Sequence, residues 1–163
     1  MTKDEELFYT MRGYELLSKD TNSLTPSMED YLEMVYRLSR HKGYTRITDL
    51  AAALNVQPPS VTNMIQKLAE TPYLNYERYG VVELTEYGRE LGQYLLKRHE
   101  IIEKFLRIIG VEDGILQETE KIEHNVSTGT MERIMYLVRF FQENPDCLEA
   151  FHIFKQQSLS GSD

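Results

Sequence analysis

A single cysteine, Cys147, is all the thiol chemistry in these 163 residues. One cysteine excludes an internal disulfide, and such a chain suits a reducing cytoplasm. No run of about 18 apolar residues occurs, so no membrane-spanning helix is expected. The opening MTKDEELF is acidic, unlike a signal or transit peptide. There is no Gly-rich phosphate cradle, no nucleophile elbow and no Cys/His pair, so no enzyme is expected. Low-complexity tracts and internal repeats are missing too. Basic charge is also short: 18 Lys and Arg stand against 26 Asp and Glu, a net charge of −8.

What is present is 41% hydrophobic and 27% charged, the balance of a globular chain. Its charge is uneven. Residues 1–35 carry 3 Lys/Arg and 8 Asp/Glu, residues 36–82 carry 6 and 3, and residues 83–163 carry 9 and 15. The middle is net basic between two acidic flanks. An acidic protein can therefore still present a local surface for nucleic acid.

Apolar periodicity predicts a helical extension over 1–23 and a helix over 27–40, with Ser27 as its cap. HKGYTR reads as a turn. ITDLAAALNVQPPSVTNMIQKLAE reads as a helix-turn-helix. Thr48 caps a short helix from Asp49 to Leu54, Asn55 takes the tight turn, and Pro59 opens a second helix. That helix buries Val61, Ile65 and Leu68. It leaves Ser60, Thr62, Asn63, Gln66 and Lys67 facing outward, suited to base edges and phosphates, with backbone amides adding phosphate contacts. YLNYERYGVVELT then gives two short strands around Arg78-Tyr79-Gly80, a hairpin. A helix-turn-helix followed by a hairpin is a winged helix. Arg78 stands at the wing tip, within reach of the adjacent minor groove or the backbone, and Tyr44, Thr45 and Arg46 stand just before the first helix, within reach of phosphate.

Thr85 caps a long helix over 86–109, ended by Gly110. Further helices are expected over 112–124, 127–142 and about 146–157. The fold class is mainly α: an N-terminal winged helix-turn-helix (24–85) with a two-stranded wing, plus a C-terminal all-helical dimerisation domain (86–157). Residues 158–163 form a tail. Met131, Ile134, Leu137, Val138 and Phe141 line one apolar face, which serves either as a dimer contact or as internal core.

The acids carry the remaining signal. In TEKIEH, Glu120, Glu123 and His124 stand at i, i+3 and i+4 on one helical face. In SMEDYLE, Asp30 and Glu33 stand at i and i+3. His99 lies within the long helix. Like charges at this spacing repel unless solvated or neutralised by a cation. Hard oxygens with imidazole and no thiolate suit Mn²⁺ or Fe²⁺, and admit Zn²⁺ or Co²⁺. Four carboxylates balance two divalent ions. Glu149-Ala150-Phe151-His152 is a single Glu-x-x-His, short of the pair that di-iron bundles use. His41 reads as a surface residue. A metal-independent interaction module and a binuclear metal enzyme are the alternatives from other classes.

TPSMEDYLEMVY, PPSVTNMIQKL, RHEIIEKFLRIIGV and IEH, at these spacings, resemble the diphtheria-toxin-repressor family, and within it the manganese-responsive branch. The resemblance covers about residues 24–145. It implies a winged helix joined to a helical dimerisation domain, with divalent metal turning on DNA binding. The implied ligands are Asp30, Glu33, His99, Glu120, Glu123 and His124. In the iron-responsive branch a methionine and a cysteine stand where this chain has Asp30 and Glu123, and oxygen in place of sulfur favours the harder Mn²⁺. Asn125 stands where the family pattern often has a second histidine.

The resemblance implies two Mn²⁺ per chain, with Fe²⁺, Co²⁺, Zn²⁺ or Cd²⁺ binding in vitro. It also implies a cytoplasmic homodimer on a palindromic double-stranded operator controlling manganese-uptake genes. An Fe²⁺-responsive regulator is the nearest alternative. In this scheme metal ties the two halves together and fixes the spacing of the recognition helices, about one DNA turn.

Overall fold

Thr25 and Pro26 set the start of the first helix. In a computed structural model, which describes residues 24–77 and 79–160, α1 spans Pro26–Ser39. Its cap is Thr25 rather than Ser27: the threonine hydroxyl accepts the Met28 amide at 3.3 Å. Pro26 fills the first helical position, where its missing N–H costs nothing. The expected extension over 1–23, Arg78 and residues 161–163 lie outside the described residues.

HKGYTR is not only a turn. Tyr44–Arg46 form a strand, β1, before α2 (Ile47–Leu54) and α3 (Pro58–Ala69). β2 (Leu74–Tyr76) and β3 (Val81–Leu84) follow. The sheet is antiparallel in the order β1-β3-β2, with Thr45 and Tyr76 both opposite Val82. The expected two-stranded wing is thus part of a three-stranded sheet. Three residues are too few to show alternation, and the inward member of β1 is the polar Thr45, 3% exposed. That burial also removes its side chain from the phosphate contact expected of it.

α2 starts at Ile47, two residues before the expected Asp49, and its cap position is Arg46 with no side-chain cap. Asn55 ends it in the left-handed region at φ 54°. There the Asn55 and Val56 amides bond to the Ala52 and Ala51 carbonyls, the two bonds of a Schellman end. Leu32, Val35, Leu50, Val61, Ile65, Leu68 and Val82 are fully buried and form the centre of this first unit, which reaches Lys97. Burial of each such side chain contributes about 1.5–3 kcal/mol.

α4 spans Glu86–Ile109, with Thr85 Oγ1 accepting the Gly88 amide at 3.0 Å. The first half of α4 packs within the first unit, further along the chain than the expected boundary at 85. Gly88 and Gly92 make that packing close. A Cβ at Gly88 would overlap the Tyr73 carbonyl, and one at Gly92 would sit 2.6 Å from Tyr36 Cβ.

The second unit begins at Arg98. It contains the end of α4, α5 (Ile115–Glu123), α6 (Thr128–Glu143) and α7 (Pro145–Ser160). α5 starts later than the expected 112 because Gly114, at φ 67°, occupies its cap position. Gly110, at φ 91°, closes α4 with bonds from the Val111 and Gly110 amides to Leu106 and Arg107. Lys155 of α7 donates to the Ile109 carbonyl at 3.4 Å, placing a cation at the negative end of α4.

Ile102, Leu106, Met131, Met135 and Val138 are buried. Two residues expected on the dimer face, Met131 and Val138, are therefore core residues of the chain itself. Their period along α6 points inward, while Tyr136, Leu137 and Phe140 are the exposed members. Ile134 and Phe141 are half-buried, and Phe141 packs on Phe151 of α7 at 5.6 Å.

Candidate metal centre and nucleic-acid interface

Within the net-basic stretch 36–82 of the first unit, α3 has one apolar and one polar side. Val61, Ile65 and Leu68 are at 0% exposure, and Ser60, Asn63, Gln66 and Lys67 are exposed. Spacing alone accounts for this, since three- and four-residue steps share a face. Thr62 differs from expectation. It is half-buried, and its hydroxyl donates to the Pro58 carbonyl at 3.1 Å. The start of α3 also offers few amides to a phosphate. Pro58 and Pro59 have no N–H, and the Ser60 and Val61 amides both bond to the Gln57 carbonyl. Side chains therefore do the outward hydrogen bonding of this helix. Arg46 is exposed at the start of α2, and Arg78 lies outside the described residues.

On α1 the two predicted acids differ. Asp30 is exposed, whereas Glu33 is buried at 9%. Arg37, one turn on, donates from Nε at 2.8 Å and from Nη2 to the same Glu33 Oε1. The second oxygen, Oε2, carries no hydrogen bond among the described residues.

In the second unit, α4 and the end of α5 bring three predicted ligands together. His99 is 9% exposed and Glu123 1%. Their Nδ1 and Oε2 atoms are 3.0 Å apart. Glu123 Oε1 is 3.7 Å from Nε2 of His124, which stands at the cap position after α5. A carboxylate between two imidazoles is a donor set of hard oxygen and borderline nitrogen. It fits Mn²⁺ or Fe²⁺ better than a thiophilic ion, and Cys147 is exposed on α7. Thr119 is fully buried and donates to the Ile115 carbonyl at 2.8 Å, which anchors α5 beside these groups.

Glu120 does not join them. It is exposed, with no hydrogen bond or ion pair among the described residues. Asn125 donates to the Lys121 carbonyl at 2.8 Å.

Two neighbours escaped the sequence reading. Arg98 is 5% exposed, and its Nη2 is 3.3 Å from His124 Nδ1. Glu103 Oε2 is 3.9 Å from His99 Nε2, while its Oε1 accepts two bonds from Arg107. Glu103 stands four residues after His99, so helical spacing could have found it. Arg98 gave no such signal, because a buried arginine looks like a solvated one in sequence.

Residues 23–82 match the family described as "Iron dependent repressor, N-terminal DNA binding domain". Residues 85–152 match "Iron dependent repressor, metal binding and dimerisation domain". The chain is 49% identical over 138 residues to the HTH-type transcriptional regulator MntR of Geobacillus kaustophilus (strain HTA426), covering 84% of this chain and 98% of that protein. It is 50% identical over 121 residues to MntR of Bacillus subtilis (strain 168), covering 74% and 85%. The solved structure of the manganese regulator SloR is similar at 30% identity and a TM-score of 0.62, over 72% of this chain and 55% of that one. The chain thus spans about half the length of that structure.

Proposed function

The chain belongs to the iron-dependent repressor family, in its manganese-responsive branch, and from that premise we propose how its residues act. It is a metal-dependent DNA-binding repressor of manganese transport. The observation that carries the residue-level reading is the group formed by buried His99 and Glu123 with half-buried His124, in a chain that also exposes the polar side of α3.

Six residues hold the metal in this proposal: Asp30 and Glu33 from the first unit, His99, Glu123 and His124 from the second, and Glu120, which is exposed apart from these three and joins them on loading. Two Mn²⁺ per chain match the four carboxylates in charge. Bound there, the cation supplies the positive charge that lets these carboxylates share one site. Because the ligands come from both units, their joint engagement fixes one unit against the other. Without it, like charges keep the units independent. Fixing them before DNA arrives removes an ordering cost from the DNA step.

Ser60, Asn63, Gln66 and Lys67 then read and hold the duplex, with Arg46 and Arg78 on the backbone. Thr62 contributes through its methyl group. Two copies bind a palindromic operator in the cytoplasm. Leu137, with Tyr136, Phe140, Ile134 and Phe141, supplies the self-complementary contact. A coupling of about 1–3 kcal/mol between metal and DNA would change affinity about 5–150-fold.

DNA-binding anisotropy at fixed salt tests this. The probe is a palindromic fragment selected from the source genome in the presence of Mn²⁺. Affinity is expected to rise at least about tenfold with Mn²⁺ over chelator, and Glu123→Ala should lose the rise. Equal affinity with and without metal would sink the proposal. A larger response to Fe²⁺ than to Mn²⁺ under anaerobic conditions would reassign the metal.

A further inference from the structure

A neutral imidazole has one lone pair. His124 Nδ1 faces the Arg98 guanidinium at 3.3 Å. Arginine is a donor only and stays charged, so Nδ1 must be the acceptor and the ring proton must sit on Nε2. That proton faces Glu123 Oε1 at 3.7 Å, and Glu123 Oε2 faces His99 Nδ1 at 3.0 Å. Arg98, His124, Glu123 and His99 thus form one run of groups in the second unit, with donors and acceptors consistent throughout. Arg98 and Glu123 are both buried.

This arrangement cannot survive ligation by His124. If Nδ1 binds a cation, Arg98 loses this acceptor. If Nε2 binds it, the ring proton moves to Nδ1, where it meets the guanidinium donor head-on. On either nitrogen, Arg98 and the metal compete for the same lone pair.

We propose that Arg98 is a built-in competitor for metal at His124, which occupies the ligand in the metal-free protein and sets the concentration at which the repressor loads. The proposal rests on the metal-ligand role given above to His124. The buried guanidinium opposes an incoming divalent cation twice, by repelling its charge and by holding its ligand. It also serves the metal-free state, because it holds the His124 ring with its other nitrogen toward the buried Glu123 carboxylate. The repressor thereby keeps His124 engaged when manganese is scarce, at a cost in affinity.

The test compares wild type with Arg98→Met, which keeps the length and apolar stem of the side chain, and with Arg98→Lys. Mn²⁺ binding is followed by electron paramagnetic resonance of the free ion, without DNA. Arg98→Met is expected to bind about tenfold tighter than wild type, the scale of one charge–charge interaction. Arg98→Lys, which retains the charge, should stay near wild type. If Arg98 instead supports the loaded site, Arg98→Met should bind 10–100-fold more weakly, the usual loss for an outer partner of a ligand, and the proposal is overturned.

A second measurement needs no variant. In metal-free wild type, ¹⁵N shifts of His124 should show the proton on Nε2, and in diamagnetic Cd²⁺-loaded protein the contact with Arg98 should be gone. A proton on Nδ1 in the metal-free protein overturns the proposal, as does a ring unchanged by Cd²⁺. If wild type takes up no Mn²⁺ at all, the ligand assignment falls and this proposal with it. Uptake with unchanged affinity in Arg98→Met overturns the competitor alone.

Discussion

Nδ1 of His99 stands 3.0 Å from Oε2 of Glu123, across a separation of 24 residues. The carboxylate accepts, so the histidine presents Nδ1–H to it, and the contact joins α4 to the end of α5. Glu123→Gln keeps an acceptor oxygen there and removes the charge. The metal-free second unit should therefore lose no more than about 1–2 kcal/mol, the scale of one hydrogen bond to a charged group weakened to a neutral one. The response to metal should differ sharply. At a free concentration of 100 times Kd, Mn²⁺ should stabilise wild type by about 2.7 kcal/mol. That corresponds to a rise in Tm of about 5–10 °C for a chain of this size. Thermal melts with Mn²⁺ and with chelator should show this rise in wild type and its loss in Glu123→Gln. A full rise in the variant would remove Glu123 from the ligand set.

Gly92 and Gly129 make a matched pair of opposite sign. Each lies in a helix, where replacing Gly by Ala gains up to about 1 kcal/mol in propensity. At Gly92 the new Cβ would meet Tyr36 Cβ at 2.6 Å, a short side-chain stem with no freedom to retreat. The overlap costs about 1–3 kcal/mol, so Gly92→Ala should be net destabilising. At Gly129 the nearest atom is the flexible end of Arg133 at 3.4 Å, and Gly129→Ala should be neutral or slightly stabilising. Urea midpoints of the two variants measure the contrast. Equal stability changes would mean that α4 does not rest closely on α1.

These two sites also mark how far the sequence could be read. Apolar spacing was enough for the recognition helix, because Val61, Ile65 and Leu68 repeat at helical period and nothing overrides them. Asn55 identified its turn by the same logic, since asparagine tolerates the left-handed region. β1 was hidden because its single inward residue is the polar Thr45, held by pairing with Val82 across the sheet. The packing of α4 on Tyr36 depends on a pair separated by more than fifty positions, which no local pattern encodes. At the candidate site, Glu123 and His124 stood together by residue type and spacing, whereas His99 joined them only through the family resemblance. Arg98 was not, since only tertiary structure distinguishes a buried guanidinium from a solvated one.

On the proposed reading, Lys67 and Asn63 would divide the work of α3 between holding and reading. Both are exposed on the polar side of the helix. A lysine ammonium is a point charge that suits phosphate, whereas an amide can present a donor and an acceptor to one base edge. In the Mn²⁺-loaded protein, Lys67→Ala should weaken binding to specific and scrambled DNA alike. It should also lower the slope of log affinity against log salt by about one unit per phosphate lost. Asn63→Ala should leave that slope unchanged and cost about 1–3 kcal/mol on the operator alone, relaxing preference at one base pair in each half-site. Thr62→Val should change neither, because the Thr62 hydroxyl is already committed to the Pro58 carbonyl. Anisotropy titrations over a salt series, on the operator and on single-base variants of it, separate the three. A base-specific loss in Lys67→Ala with an unchanged salt slope would reverse the two roles and place Lys67 against a base.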